Sequence, residues 1–266
     1  MKINDTLQVT IIDDNHLGNG IAKHDDKTIF IPQTVKGDIV NIKINKLTKN
    51  IAFGDLISYE KKSSNHIKIK CPYYKECGGC DLLHVSYERE KEVKEEYIKK
   101  IFKDFNKHII SFDREHYRNK VILHVSNNKI GFYEKKTNKL IPIDNCLLLE
   151  EDINKLILIL KEIDLSNIKS ITIKNSDNGL LLSTEGHIKT NDLKELIKHK
   201  EIKTIYQNNK LIYGDEYLKI SLKDIDYSIN NNSFFQINKK CTESLYEKIK
   251  QSCKNGLLSL ERINRD

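Results

Sequence analysis

The sequence predicts an α+β protein, in which a small N-terminal β-barrel of the OB type precedes a larger α+β central domain. Short strand patterns fill the first 60 residues, whereas strand and helix patterns are interspersed in the rest of the chain. A third observation is the group Cys71, Cys77 and Cys80. Thiols grouped so densely predict a metal or cluster bound by cysteines at the start of the central domain.

Composition narrows the class of protein. The chain has 266 residues, of which 38% are hydrophobic and 31% charged, and its formal net charge is +7. These values exclude a disordered chain, and the modest basic excess is compatible with a polyanionic partner. No apolar run approaches the roughly 20 residues that span a bilayer. Six cysteines are too few for a disulfide framework. We therefore expect a cytoplasmic protein without a membrane partner.

The first 60 residues alternate apolar and polar side chains in several short segments, separated by turn signals rich in Asp, Asn and Gly. The strand segments are residues 7–11, 29–31, 40–44 and 51–58. Several short strands in so small a region favour an OB-type barrel, and such barrels commonly bind oligonucleotides on an exposed face. A barrel used only for packing is the alternative.

A basic linker at residues 60–70 leads into the cysteine loop, C-P-Y-Y-K-E-C-G-G-C, at residues 71–80. A fourth cysteine, Cys146, follows much later in the chain. Four soft thiolates suit either tetrahedral zinc or a [4Fe–4S] cluster. Gly78 and Gly79 lack a Cβ that would obstruct a backbone folded tightly around such a centre.

The central domain begins with a helix of about 18 residues after Ser86, with Glu88 and Glu90 in its first turn, where the helix dipole favours acidic residues. A four-residue repeat predicts its buried face, which would consist of Val93, Tyr97, Ile101 and Phe105. Further helices are predicted at 150–163, 191–198 and 239–253. Strands are predicted at 121–125, 130–133 and 139–143, in a hairpin of 171–173 with 180–182, and within 202–229.

Together these segments resemble the bacterial 23S rRNA (uracil-C5)-methyltransferase family, whose members carry an iron–sulfur cluster. Residues 1–60 are similar to a TRAM domain, an OB-type RNA-binding module, in the stretches G-N-G-I-A and F-I-P-x-x-x-x-G-D. Residues 61–256 are similar to the family's central iron–sulfur and RNA-binding domain. The matching stretches are the cysteine motif, Y-R-N-K at 117–120 followed by I-G-F-Y-E-K-K-T-N-K, and N-S-F-F-Q-I-N at 232–238.

The resemblance implies roles for particular residues. Cys71, Cys77, Cys80 and Cys146 would bind a structural [4Fe–4S] cluster. Gln236 would contact S-adenosylmethionine (SAM). Phe234 is a candidate to stack on RNA bases, with an ordinary core aromatic as an equal alternative, whereas we interpret Phe235 as a core aromatic. Arg118 and Lys120 are candidates to contact phosphate, with a surface salt bridge as an equal alternative.

Family members continue into a SAM-binding domain that opens with a strand and a glycine-rich turn. In this chain Leu257 and Leu258 fit the start of that strand, and the rest of residues 257–266 does not. We therefore expect a truncated SAM-dependent RNA (uracil-5-)methyltransferase, without the catalytic cysteine and without most of the SAM site. Cys241 and Cys253 are interpreted as structural thiols.

The resemblance also implies partners. RNA is expected, with 23S rRNA the first choice and tRNA left open, and SAM would bind only with the missing domain. The chain is expected to be a monomer. The alternative function is a stand-alone RNA-binding iron–sulfur or zinc protein without catalysis. An electron carrier has little support in the sequence.

Overall fold

The computed structural model describes residues 1–104 and 109–253. Within them the chain forms 15 strands and four helices. It divides into two compact units: unit 1 combines Met1–Ile109 with Glu134–Thr137, and unit 2 combines Ile110–Tyr133 with the chain from Asn138 onward. Mixed sheets with few helices confirm the α+β prediction. None of the helices in the described ranges is long and apolar enough to cross a membrane.

A six-stranded sheet forms the N-terminal part of unit 1, which confirms a β-rich start to the chain. The strands run in the order β1-β5-β6-β4-β3-β2, and β4 pairs in parallel with β6 while the other neighbours are antiparallel. The strands are β1 Thr6–Thr10, β2 Asp13–Asp14, β3 Asn19–His24, β4 Lys27–Pro32, β5 Ile39–Leu47 and β6 Ile51–Lys61.

Alternation along these strands sends every second side chain into one core. Its members are all buried: Val9, Ile11, Ala22, Ile29, Ile31, Val40, Ile42, Ile44 and Ala52. β-Branched residues dominate this set, and their stiff side chains suit a pleated surface. The sequence pattern therefore identified the correct face of β1 and β5.

Asp38 is fully buried just before β5 and organises the chain on either side of it. Its carboxylate accepts hydrogen bonds from the backbone N–H groups of Val35 (2.9 Å) and Ser63 (2.8 Å) and lies 2.8 Å from Nε2 of His66. Burial alone would raise the pKa of Asp38, but these hydrogen bonds outweigh it and hold the pKa below its ordinary value. The Asp38 carboxylate thus joins the turn before β5 to the chain that follows β6.

Helix α1 spans Tyr87–Ile101, and the side chain of Ser86 caps it by accepting from the N–H of Arg89 at 3.2 Å. The cap prediction is confirmed, but the predicted buried face is wrong beyond Val93. Tyr97 is 40% exposed and Ile101 52% exposed, and Phe105 lies outside the described residues.

The one buried apolar residue of α1 is Val93, in its second turn, which joins a small cluster with Val35, Leu82 and Val85. Arg89, 9% exposed, takes a second buried position of the helix. Its guanidinium donates to both carboxylate oxygens of buried Asp14, and its Nη1 donates to Glu92 at 2.9 Å and Glu96 at 3.0 Å. A charged pair therefore takes a place that apolar periodicity would assign to a hydrophobic residue.

Unit 2 is built on a seven-stranded sheet in the order β13-β12-β11-β10-β7-β8-β9, with a separate hairpin of β14 and β15. Only β11 and β12 pair in parallel, and helix α3 lies in the crossover between them. The sheet strands are β7 Lys120–Ser126, β8 Lys129–Tyr133, β9 Leu140–Pro142, β10 Ile168–Ser176, β11 Gly179–Gly186, β12 Ile202–Gln207 and β13 Lys210–Gly214. The hairpin strands are β14 Leu218–Leu222 and β15 Ile225–Ile229, and the helices are α2 Glu151–Leu160, α3 Thr190–Leu196 and α4 Lys239–Ser252.

The spacing of apolar residues predicts the buried face of helix α2 in unit 2. Its fully buried residues follow the i, i+3, i+4, i+7 spacing of one helix face: Ile153, Leu156, Ile157 and Leu160. The face packs against β10. The predicted hairpin is also confirmed, as β10 and β11, with Gly179 at φ +133° in its turn.

Candidate RNA-binding and cysteine sites

The cysteine loop of unit 1 is shaped by its own backbone. The N–H of Cys77 donates to the carbonyl of Tyr73 at 2.8 Å, and the N–H of Gly79 donates to Sγ of Cys77 at 3.4 Å. Burial raises the pKa of the Cys77 thiol, the Gly79 N–H lowers it, and the nearby charge of Cys71 raises it. The N–H···S contact is one that would stabilise a thiolate.

Tyr74 fixes this loop to the rest of unit 1. Its buried hydroxyl lies 2.7 Å from the carbonyl oxygen of Asp81 and 2.7 Å from Nδ1 of His84, whose Nε2 lies 3.4 Å from the carbonyl of Thr34. Burial lowers the pKa of His84 to about 4. The imidazole is therefore neutral, and its two nitrogens face the Tyr74 hydroxyl and the Thr34 carbonyl.

Two further contacts hold the loop. Gly18, at φ +71°, lies so close to Asp81 that a Cβ there would be 2.1 Å from the Asp81 carbonyl oxygen, so only glycine fits. Residues 134–137 also belong to unit 1. Glu134 forms a β-bridge with Cys77, and Lys135 forms an ion pair with Asp81.

Cys146 belongs to unit 2, between β9 and α2. The side chain of Asn154 holds the backbone of this residue from both sides: its Oδ1 accepts from the Cys146 N–H at 2.8 Å, and its Nδ2 donates to the Cys146 carbonyl at 3.1 Å and to the Leu149 carbonyl at 3.2 Å. Asn154 is buried on α2. The backbone carrying the fourth predicted ligand is thus well defined.

The predicted four-cysteine set is not assembled into a metal site. Within residues 1–104 and 109–253, no group of three or more His, Cys, Asp or Glu side chains is arranged to hold a metal ion. All six cysteines lie in those ranges, and none forms a disulfide. The donor chemistry fits zinc or iron–sulfur, because the thiols are soft ligands and an N–H group already contacts one sulfur. The cluster therefore stays a prediction.

The segment that carries Phe234 and Gln236 is a second candidate site, in unit 2. Phe234 is 75% exposed. Phe235 instead packs on the core that contains Leu218 and Ile220 and lies edge-on to Tyr227, with ring centroids 5.7 Å apart. The interpretation of Phe235 as a core aromatic is therefore confirmed, while its neighbour presents an aromatic ring to solvent.

Lys174 of β10 holds the turn that precedes Phe234. Its side chain is only 4% exposed, and its ammonium donates to the carbonyls of Asn230 (2.8 Å), Asn231 (2.7 Å) and Ser233 (2.9 Å). Burial, with a smaller contribution from the charge of Lys120, lowers the pKa of Lys174 to about 8. One buried cation thus sets the shape of the turn. No pattern in the sequence indicates this role for Lys174.

Asn119 holds the other side of the same segment. It is buried, its Nδ2 donates to the Gln236 carbonyl at 3.2 Å, and its N–H donates to the Ile237 carbonyl at 3.0 Å. The Gln236 side chain is exposed. The two phosphate candidates flank Asn119 in sequence: Lys120 begins β7, and Nε of Arg118 is buried with no hydrogen-bond partner among the described residues.

A polar cleft of about 370 Å³ in unit 2 was not predicted. Burial raises the pKa of Glu150, although Asn175 donates to its carboxylate at 2.7 Å and lowers the pKa in part. Asp177 forms an ion pair with Lys239 at 2.7 Å. Asn119 also lines the cleft, so it borders the Gln236 segment. Acceptors dominate this cleft, which suits it to N–H donors rather than to phosphate.

Comparison with known proteins adds three findings. Residues 2–57 match the TRAM domain family. The chain is 31% identical over 298 residues to an uncharacterised RNA methyltransferase of Clostridium acetobutylicum. It is 28% identical over 292 residues to another from Staphylococcus aureus strain COL. Each alignment covers 92% of this chain and 64% of the relative, so the chain spans about 64% of their length.

Among solved structures, the chain is similar to the Pyrococcus abyssi tRNA (uracil-54, C5)-methyltransferase, which was crystallised with S-adenosyl-L-homocysteine. The TM-score is 0.75 at 20% identity, and the match covers 92% of this chain and 64% of that one. This likeness shows a shared fold that extends through both units.

Proposed function

We propose that this chain recognises RNA as part of a SAM-dependent RNA (uracil-C5)-methyltransferase, with 23S rRNA as the substrate. The observation that carries the proposal is the alignment of 92% of the chain with RNA methyltransferases of two bacteria. The TRAM match at residues 2–57 supports an RNA partner independently of that alignment. The choice of rRNA over tRNA rests on the cysteine motif, and the binding experiment compares the two kinds of RNA.

The chemistry of the reaction defines what recognition has to achieve. Uracil C5 is a poor nucleophile, so a cysteine thiolate first adds to C6 and leaves an enolate-like C5. C5 then takes the methyl group from SAM, a base removes the C5 proton, and the thiolate is expelled. The target base must leave its helix to be reached. We do not assign the nucleophilic cysteine to any described residue. Cys241, on α4, and Cys253, the C-cap of that helix, are excluded from this role as well.

In this proposal the segment around Phe234 positions the RNA and SAM. Phe234 stacks on an RNA base, because its ring is exposed on a turn held by Lys174. Gln236 contacts SAM through its exposed side chain. Arg118 and Lys120 bind phosphate beside them.

We expect Phe234→Ala to weaken binding of a 23S rRNA stem-loop by about tenfold, the scale of one lost aromatic–base stack. Fluorescence anisotropy with a labelled stem-loop, at two salt concentrations, measures the affinity. Leu245→Ala is the matched control, since Leu245 is a large apolar side chain that is 51% exposed on α4. It should bind as the parent does.

A labelled tRNA T-arm hairpin is titrated in parallel. Tighter binding of the T-arm than of the rRNA stem-loop would overturn the choice of 23S rRNA. If the parent chain binds neither RNA at low salt, the RNA-recognition function itself is wrong.

We also propose that Cys71, Cys77, Cys80 and Cys146 bind a structural [4Fe–4S] cluster. The donor set and the N–H contact on Cys77 Sγ support this. Protein purified without oxygen should be brown, with a broad charge-transfer absorption and near-equal iron and sulfide.

Cys77→Ser should lose that absorption, whereas Cys241→Ser, which changes a half-exposed thiol on α4, should keep it. A colourless protein with one equivalent of zinc would replace the cluster by a zinc site. Protein with neither metal would contradict the thiolate site altogether.

A further inference from the structure

The outer face of the N-terminal sheet carries a row of cross-strand neighbours. Phe30 of β4 pairs with Phe53 of β6, Phe53 pairs with Lys46 of β5, and Phe30 pairs with Ile21 of β3. We call these four residues the aromatic row. The residues that alternate with them, such as Ile29 and Ala52, are fully buried, so the row faces away from the core.

The two phenylalanine rings of the aromatic row lie nearly parallel, with centroids 5.8 Å apart and planes at 29°. Phe53 is 37% exposed, and Lys46 places its Nζ 5.7 Å from the Phe53 ring centroid. Aromatic and β-branched residues stabilise a sheet by packing, but that packing does not require rings on the solvent face. Phe30 is half-buried, so the row offers the Phe53 ring and part of the Phe30 ring to a ligand with flat apolar faces.

The charges around the aromatic row distinguish its two ends. Lys46 is exposed and ends the row at β5. Asp13, which pairs with Ile21, carries the opposite charge at the other end, on β2. An anionic backbone would therefore pass on the Lys46 side, with its bases laid over the two rings. A purely apolar partner surface would gain nothing from the charge of Lys46.

We infer that the aromatic row is a stacking platform for unpaired bases of single-stranded RNA, with Lys46 beside the sugar–phosphate backbone. Aromatic rings on a sheet surface bind bases in this way without needing to read their edges, since every base has a π-face. The inference rests on the proposed RNA binding. It adds a contact surface in unit 1, with its own residues.

The absence of tryptophan from the sequence makes the test direct. Phe53→Trp places a single indole in the aromatic row, and its emission reports stacking. Titration with a single-stranded 12-nucleotide RNA should quench this emission, and the affinity should match that of the parent. A duplex of the same sequence should quench far less, because its bases are already paired.

Phe53→Ala and Phe30→Ala should each weaken binding of the single-stranded RNA by about tenfold. Ile57→Ala is the matched control: Ile57 is on the same strand as Phe53 and is 56% exposed, and its removal should leave binding unchanged. Thermal unfolding of each variant verifies the fold.

The inference is overturned if the parent binds RNA while both alanine variants bind within twofold of it and the Phe53→Trp emission is unchanged at saturation. That result would leave the proposed function intact. Failure of the parent to bind any RNA would instead remove the proposed function. Alanine variants that change self-association in sedimentation, but not RNA affinity, would identify the row as a protein contact and overturn the inference.

Discussion

Replacing Arg89 by methionine is expected to lower the free energy of unfolding of unit 1 by about 3–5 kcal/mol. The substitution keeps an unbranched side chain of similar length but leaves Asp14, only 5% exposed, as a buried charge without its main partner. The hydrogen bonds that Arg89 donates to Asp14, Glu92 and Glu96 raise its pKa despite its burial, so the guanidinium stays charged. Hydrogen exchange of amides in β3 and α1 measures the loss in unit 1 alone.

The matched control is Lys94→Met on the same helix. Lys94 pairs with Glu90 at 2.6 Å, but its side chain is 47% exposed, so its loss should cost less than about 1 kcal/mol. Adding Asp14→Asn to Arg89→Met should recover part of the stability, because it removes the stranded charge. If Arg89→Met unfolds within about 1 kcal/mol of the parent, the buried pair is not what fixes α1.

Replacing Lys174 by methionine should destabilise the turn at residues 230–233 and weaken RNA binding together. The three carbonyls lose one shared charged donor, and a buried unsatisfied group costs about 1–3 kcal/mol. We expect a total loss of about 3 kcal/mol, since the carbonyls will partly hydrate. Because the same turn presents Phe234, RNA affinity should fall about as far as in Phe234→Ala.

Lys219→Met provides the comparison for Lys174→Met, because Lys219 is 53% exposed and pairs with Asp226 on the surface. It should leave both stability and affinity nearly unchanged. Hydrogen exchange of residues 230–238 and anisotropy with the rRNA stem-loop are the two readouts. An unchanged exchange rate in this segment of Lys174→Met would show that the turn forms without the lysine.

The spacing of apolar residues predicted those structural elements whose buried faces depend only on neighbouring residues in the sequence. The spacing of Ile153, Leu156 and Leu160 sufficed for α2, and alternation sufficed for the buried faces of β1 and β5. The same reasoning misjudged α1, because its buried Arg89 depends on Asp14, which is 75 residues away in sequence. Periodicity assigns charged residues to solvent and carries no information on a distant partner.

In the candidate sites, too, features set by neighbouring residues were predictable from the sequence, and features set by distant partners were not. Phe234 and Phe235 are adjacent in sequence. The family resemblance separated their roles, but the apolar pattern alone could not show which ring is exposed, because the turn is fixed by Lys174 of another strand. The polar cleft joins Glu150, Asn175 and Lys239, each unremarkable in its own segment. The cysteine motif was visible because its spacing is local, while the role of Cys146 in it stays a prediction.

The return of residues 134–137 to unit 1 has a consequence for how the protein is made. Glu134 and Lys135 contact Cys77 and Asp81, yet the ribosome finishes the cysteine loop and the whole of α1 before it synthesises them. During synthesis the cysteine loop therefore lacks its contacts with Glu134 and Lys135 until β7 and β8 have been made. A recombinant fragment ending at Ile109 would keep the six strands of the N-terminal sheet but lack the contacts of Glu134 and Lys135. Proteases should therefore cleave its 71–81 segment faster than in the longer chain.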